Sequence, residues 1–372
     1  MPEKRKILFY YEVNKYSNSL ITYLSLLKEK GHEVLALITA EWGPLHDALQ
    51  AKGIPVYVYT ANKTNSIIFY LKHIFNLVRF VLKHKVTTVH SHVQRPNFIA
   101  TIASLFVPVK LVAFRHHYRP FGIKANWKEK FFDWVIHTFA PIVVVPSKTV
   151  KEGIVKYEKR NSKKILVVRY IYDFSKYPKP STEKVENIKK QFPARLRLLM
   201  VSRLIPLKRP MLVFSVVKEL VQSGFDIRLL VAGEGPMRPQ LENWIMKHDL
   251  SDRIILLGFK TDLVNYMAAS DMLVSASMTD ASNSAAKEMG LLGKLVAVPD
   301  YVGDFTEYII DGCNGFLLPL ENTEEKLKEV IRNVYENPEN YKDMGIRLRD
   351  AVLKRFDYRY AKEVVKLYEK LV

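Results

Sequence analysis

Two cations lie where they could meet phosphate. Arg203 and Lys208 sit in Ser202-Arg-Leu-Ile-Pro-Leu-Lys208, directly after a run, Arg197 to Val201, that reads as a strand. In an open parallel sheet, ligands bind beyond the carboxyl ends of the strands, which suits a guanidinium and an ammonium group placed there to bind an anion. The same spacing also fits ordinary surface charges on a loop. Asp280 and Glu288 stand eight positions apart across the start of a helix near Ser284, in Asp-Ala-Ser-Asn-Ser-Ala-Ala-Lys-Glu288. The unpaired amides and partial positive charge of a helix N-terminus attract a diphosphate, and carboxylates around it accept hydrogen bonds from sugar and ribose hydroxyls. A plainer reading makes Asp280 or Asn283 a helix cap and Glu288 a buried hydrogen-bonded acid. Gly233 and Gly235, in Val231-Ala-Gly-Glu-Gly-Pro236, let backbone come close to a ligand or to neighbouring chain, but the third glycine of the dinucleotide fingerprint is missing. His116 and His117 follow the apolar run Lys110 to Phe114, between Arg115 and Arg119. A histidine there can reach a sugar, and spacing does not choose between the two.

The elements that would position these groups alternate along the whole chain. Apolar runs at Lys6 to Tyr11, His32 to Ile38, Pro55 to Tyr59, Thr87 to Ser91, Lys110 to Phe114, Ile142 to Pro146 and Lys164 to Arg169 read as strands, with helical patterns between them. Crossover helices between strands imply a mainly parallel sheet covered on both faces. Asp173 to Phe192, rich in lysine and with Pro178 and Pro180, reads as a connection. The pattern then restarts, with strands at Arg197 to Val201, Ile227 to Ala232, Ile254 to Leu257, Met272 to Ser275 and Leu295 to Val298. Two doubly wound α/β domains in series follow, over residues 1–175 and 193–356. A helical tail from Thr323, broken near Pro338 and Asp357, ends in a segment, 357–372, that can pack back on the first domain.

Composition and charge narrow the setting. A chain of 372 residues with 48% apolar and 26% charged side chains has the composition of a folded protein, and its length favours two cores over one. The single cysteine, Cys313, and a basic start without a signal-peptide pattern lead to an expected cytoplasmic location. No apolar stretch approaches the length of a membrane span. Residues 1–200 carry 34 Lys+Arg against 13 Asp+Glu, whereas residues 201–372 carry 23 against 25, so the positive field belongs to the first half. Such a field draws in an anionic partner. Lys72, Asn76, Arg79 and Lys83 form one stripe on a helix rich in Ile, Phe and Leu, and a second basic and aromatic stretch runs from Arg115 to Trp134. The expected partner is an anionic membrane surface, with the protein peripheral on the inner face; the same stripe also fits a core helix with an ordinary wet face. Nucleic acid is disfavoured, because no binding module is visible among these basic residues.

Taken in order, these segments resemble glycosyltransferase family 4, enzymes of the GT-B fold in which two Rossmann-like domains face a cleft. The resemblance rests on Ser202-Arg-Leu with Lys208, Ala232-Gly-Glu-Gly-Pro236, Leu257-Gly-Phe259, Ala269-Ser-Asp271, Asp280 with Glu288, Gly303 with Glu307, and Asp311-Gly with Asn314-Gly315. Looser matches in the first half are Gly31-His-Glu-Val34, His90, His116 and Val144-Val-Pro-Ser147. The resemblance implies a nucleotide-diphospho-sugar donor held mainly by the second domain and a glycan or lipid-linked acceptor on the first. It implies transfer with retained anomeric configuration, without a cofactor or bound metal, as in bacterial cell-surface polysaccharide or lipopolysaccharide synthesis. Arg203 and Lys208 would stabilise the diphosphate; Asp280 would orient the sugar; Glu288 would hold the ribose; His116 would contact a sugar hydroxyl. Gly233, Gly235, Phe259, Lys260, Asn283 and Ser284 would complete the donor site. Four positions depart from the family pattern: Asp280 replaces Glu, Ala281-Ser282-Asn283 replaces Gly-Phe-Gly, Asp304 replaces the second glycine after Val302, and Asn14 to Ser17 lacks the paired glycine of the first loop. The altered motif keeps open a non-catalytic nucleotide-sugar-binding or scaffolding subunit, and an inverting GT-B enzyme is the enzymatic alternative.

Overall fold

The computed structural model describes residues 4–60, 67–116 and 126–360. One compact unit runs over Met1–Asp173 and takes up the chain again from Phe356; the other is Phe174–Arg355. In the first, seven strands, β1 (Lys6–Tyr11), β2 (Glu33–Ile38), β3 (Val56–Val58), β4 (Thr88–His92), β5 (Lys110–Phe114), β6 (Ile142–Val145) and β7 (Ile165–Val167), form one sheet in the order β3-β2-β1-β4-β5-β6-β7. Every pair in it is parallel. Side chains alternate across a strand, so β1 divides its own run between two cores. Ile7 and Phe9 pack with Leu20, Leu24 and Leu27 of the helix Asn18–Glu29, while Leu8 and Tyr10 face Leu77 and Val81 of the helix Ile67–His84. Apolar residues at nearly every strand position are what a sheet covered on both faces requires.

The second unit repeats the plan. Its strands are β8 (Leu196–Val201), β9 (Ile227–Ala232), β10 (Ile254–Gly258), β11 (Met272–Val274), β12 (Leu295–Pro299) and β13 (Phe316–Leu318), all parallel, in the order β10-β9-β8-β11-β12-β13. Leu198 and Met200 of β8 pack with Val213, Phe214 and Val217 of the helix Pro210–Gln222 and with Leu327, Val330 and Ile331 of the helix Thr323–Glu336. The strand order reverses between β8 and β11, so the loops leaving those two neighbours share the crevice at the sheet's carboxyl edge, the usual ligand position of such sheets.

Three features differ from expectation or extend it. β13 goes unrecognised in the sequence because it holds only three residues, Phe316–Leu318, behind Gly315. The segment expected as a plain connection contains a ten-residue helix, Thr182–Gln191, capped by the Ser181 hydroxyl, which accepts from the Lys184 amide. It belongs to the second unit, where the Ser181 amide donates to Asn265 at 2.8 Å. The tail is broken by a turn at Pro338–Tyr341 between the helices Thr323–Glu336 and Met344–Phe356, as Pro338 predicts. It then rejoins the first unit, because the Tyr172 amide donates to Phe356 O at 2.8 Å and the Tyr358 amide to Tyr172 O at 3.1 Å. The last helical segment expected there lies, from residue 361 on, outside the described residues, as does His117.

Candidate active site

The site is built on the loops that leave β8 and β11. The chain after β8 passes through Ser202, Arg203 and Leu204 into a single turn, Pro206–Lys208, before the helix Pro210–Gln222. The chain after β11 approaches it, and the Met278 amide donates to Leu207 O at 2.8 Å. That contact brings together residues about seventy positions apart. Lys208 Nζ donates to Thr279 O at 2.7 Å and to Asp280 Oδ2 at 3.1 Å. Asp280 Oδ2 also accepts from the Asn283 side-chain amide at 2.9 Å, and Oδ1 accepts from the Ala281 amide at 2.8 Å. Asn283 Oδ1 accepts in turn from the Ala286 amide at 2.9 Å, which makes Asn283 the N-cap of the helix Ser284–Leu291. Of the two candidates for the cap, the structure therefore selects Asn283, while Asp280 spends its carboxylate on Lys208, Ala281 and Asn283.

Arg203 lies exposed on the same loop, and among the described residues its guanidinium makes no ion pair. Lys208, by contrast, is largely covered and already paired with Asp280. Gly233 and Gly235 explain how the loop keeps its path. A Cβ at Gly233 would stand 1.9 Å from Ser202 O, and one at Gly235 would stand 2.4 Å from Leu204 O. Of the two readings of these glycines, the structure supports close approach to neighbouring chain: the Leu204 amide donates to Glu234 O at 2.9 Å across that contact. Beyond β10, Phe259 is 74% exposed and Lys260 Nζ lies 5.4 Å from the centre of the Tyr266 ring. Gly258, at φ +74°, turns the chain there.

Glu288 lies one turn into the helix Ser284–Leu291. Burial pushes its carboxyl up from the usual carboxylate range, opposed by hydrogen bonds from Tyr177 and Ser284 and by the charge of Lys287. Tyr177, from the segment before the helix Thr182–Gln191, has no signature in the sequence that marks it as a partner of Glu288. Lys287 was also not legible as part of the site. It is 1% exposed, and its Nζ donates to Ser282 Oγ at 2.8 Å, to Asn283 O at 3.1 Å and to Asp304 Oδ1 at 3.2 Å. Only tertiary structure could reveal that, since a lysine in the first turn of a helix ordinarily faces water.

His116 is in the first unit, so the structure does not place it in this cluster. It belongs to a hydrogen-bonded row of rings: His90 Nε2 and His92 Nε2 are 3.0 Å apart, His92 Nδ1 and His116 Nε2 are 3.0 Å apart, and His116 Nδ1 meets the Tyr170 hydroxyl. Both ring nitrogens of His116 are thus engaged within its own unit. Burial is the main cause that holds His90 and His92 well below the ordinary histidine range, with the neighbouring histidines adding to it.

Known proteins share both halves of this architecture. Residues 182–350 match the family described as glycosyl transferases group 1, and residues 17–174 match glycosyltransferase family 4. The chain is 24% identical over 309 residues to an Escherichia coli UDP-Gal:alpha-D-GlcNAc-diphosphoundecaprenol alpha-1,3-galactosyltransferase, covering 80% of this chain and 79% of that one. It is 23% identical over 249 residues to a Campylobacter jejuni N-acetylgalactosamine-N,N'-diacetylbacillosaminyl-diphospho-undecaprenol 4-alpha-N-acetylgalactosaminyltransferase, covering 66% of each. Among solved structures, Anabaena Alr3699/HepE in complex with UDP-glucose aligns with a TM-score of 0.82 at 20% identity, over 98% of this chain and 100% of that one. WaaG, a glycosyltransferase involved in lipopolysaccharide biosynthesis, aligns with a TM-score of 0.73 at 13% identity, over 97% and 99%. The fold is thereby that of the GT-B glycosyltransferases.

Proposed function

We propose that this chain, which belongs to glycosyltransferase family 4, moves a sugar with retained anomeric configuration from a nucleotide diphosphate to a lipid-linked glycan at an anionic membrane surface. One observation carries the donor side of the reading. Lys208, Asp280 and the capped tip of the helix Ser284–Leu291 meet at the strand-order reversal, with the Arg203 guanidinium exposed on the same loop. As the bond from the anomeric carbon to phosphate breaks, negative charge grows on the diphosphate, and fixed cations beside a helix tip stabilise it most when water is excluded. The acceptor oxygen forms its bond to the same face of that carbon and passes its proton to the departing phosphate oxygen. No side-chain base and no metal is assigned a part. Glu288 takes the ribose hydroxyls, Asp280 and the backbone after it orient the sugar, and Phe259 and Lys260 border the base; His116, with both ring nitrogens engaged inside the first unit, is given no part.

The acceptor side is supported by the outward face of the first unit. On the helix Ile67–His84, Phe69, His73, Leu77 and Val81 turn inward, leaving Ile67, Ile68, Leu71, Phe75 and Leu82 exposed beside Lys72, Arg79 and Lys83. The polar stripe is thus flanked by exposed apolar side chains. The helix Trp127–Phe139 adds exposed Trp127, Phe131, Trp134 and Phe139. Among the described residues no helix is long and apolar enough to cross a membrane. A surface of aromatic, aliphatic and cationic side chains suits the headgroup region of anionic lipid, where each lysine or arginine contributes about 1 kcal/mol. The two relatives named above act on diphosphoundecaprenol-linked substrates, which agrees with this placement.

The test pairs UDP-, GDP-, ADP- and dTDP-sugars with polyprenyl-diphosphate-linked acceptors in anionic vesicles and assigns the anomeric configuration of the product. A retained configuration, unaffected by chelator, is expected. An inverted product sinks the retaining mechanism, and donor binding without transfer or hydrolysis leaves a non-catalytic subunit. Equal, salt-insensitive binding to neutral and anionic vesicles removes the membrane assignment.

A further inference from the structure

The departures from the family pattern in the donor loop touch one another. Ser282 stands within the altered Ala281-Ser282-Asn283 segment, Asp304 replaces a glycine, and both meet Lys287. Ser282 Oγ donates to Asp304 Oδ2 at 2.6 Å, while Lys287 Nζ reaches Asp304 Oδ2 at 3.0 Å and lies 5.3 Å from the Tyr308 ring centre. Lys287 and Asp304 are each 1% exposed, so the two charges are enclosed together. Gly303 brings its backbone alongside the loop, where a Cβ would lie 3.3 Å from Ala281 O. The Asn283 carbonyl accepts from Lys287, and the Asn283 side chain holds the Asp280 oxygen that also receives Lys208. A continuous set of bonds therefore runs from the buried pair to the two groups assigned to the sugar and the diphosphate.

We infer that Lys287 and Asp304 are positioning residues which hold the donor loop, residues 280–283, in its binding geometry before any donor arrives. The inference rests on the donor reading above and adds how that site is kept in shape. Where the family pattern carries glycines, this chain carries side chains whose bonds order the loop beforehand. Preorganisation removes part of the ordering cost from binding, so the loss of the pair appears as weaker diphosphate binding. The altered motif is then a compensated set and not a decayed one.

The difficulty is to separate positioning from folding, and the charge pair itself supplies the means. Removing one partner leaves an uncompensated buried charge, which is strongly destabilising, whereas replacing both by apolar groups is often neutral or stabilising. We therefore compare K287M with the double variant K287M/D304L, measuring thermal stability and the affinity for UDP, GDP, ADP and dTDP by calorimetry on the full chain. K287M is expected to lose both stability and affinity. K287M/D304L is expected to regain the melting temperature while its affinity for the best-binding diphosphate stays about tenfold below wild type, the size of coupling found between contacting residues. A double variant that melts and binds like wild type overturns the positioning role and leaves the donor reading intact. A wild-type chain that binds none of the four diphosphates overturns the donor reading and this inference with it.

Discussion

Asp280 uses both carboxylate oxygens inside the loop, on Ala281 N, Lys208 and Asn283. Restoring the family's usual acid with Asp280→Glu would push that carboxylate outward by a methylene and strain three bonds at once. The exchange is therefore expected to weaken nucleotide diphosphate binding severalfold, and isothermal titration of the variant reads it directly. Arg203 presents the opposite case. Its guanidinium is exposed and unencumbered by an ion pair among the described residues, so Arg203→Ala should leave folding alone and lower kcat by about a hundredfold, the loss typical of one donor at a charge-developing atom. Turnover near wild type in a folded Arg203→Ala protein removes this residue from the mechanism. Lys208→Ala should lower turnover comparably, but it also leaves Asp280 without its cation, so its affinity should fall along with its rate. At this scale the sequence made legible that Arg203 and Lys208 follow one strand and that Asp280 and Asn283 precede a helix, and the structure brings Lys208 and Asp280 together. It was silent about Lys287 and Tyr177, whose partners are set by packing across loops.

Strands buried on both faces leave a long apolar run in the sequence, which is why β1, β2, β4, β5, β8 and β9 could be read with nearly their observed ends. Three-residue β13 carries no such run, and the helix Thr182–Gln191 is polar enough to pass for a linker, with only Ile188 buried. Short or weakly apolar elements take their conformation from neighbours and caps, which a one-dimensional pattern does not encode. Two element-level outcomes follow from observed caps and contacts. Asn283→Ala removes the side-chain acceptor of the Ala286 amide and is expected to cost about 1 kcal/mol of stability in a urea titration. The same change leaves Asp280 Oδ2 with Lys208 alone, so donor affinity should drop as well, whereas the cap at Ser181 could be lost with no effect on affinity. Gly233→Ala has no room at all: its Cβ would overlap Ser202 O, and Gly233 sits at φ +144°. Its melting temperature is expected to fall by many degrees, because the loop carrying Arg203 must be displaced to admit one methyl group.

Over the whole molecule, the first 200 residues hold all the excess positive charge, the rest being slightly acidic, and the same region buries His90 and His92. The charge was legible by counting; the row of His90, His92, His116 and Tyr170 was not, because three strands and loops had to be folded together before those rings could meet. Their joint consequence is acid sensitivity with a definite sign. His90 and His92 have folded pKa values held well below the ordinary value near 6.5, mainly by burial. Below about pH 6.5 the unfolded chain binds protons that the folded chain refuses, so stability is whole above that pH and falls as pH drops through it. The slope is on the order of 1.4 kcal/mol per pH unit for each histidine, until the folded pKa values are reached. Urea titrations of the wild-type chain between pH 7.5 and 5 are expected to show this decline, and His92→Asn, which hydrogen-bonds without titrating, is expected to flatten it. A pH-independent midpoint in the wild type, or a slope unchanged in His92→Asn, would show that the row is charged or solvated in the folded protein. His116, bonded to His92, would then no longer be held by a neutral neighbour.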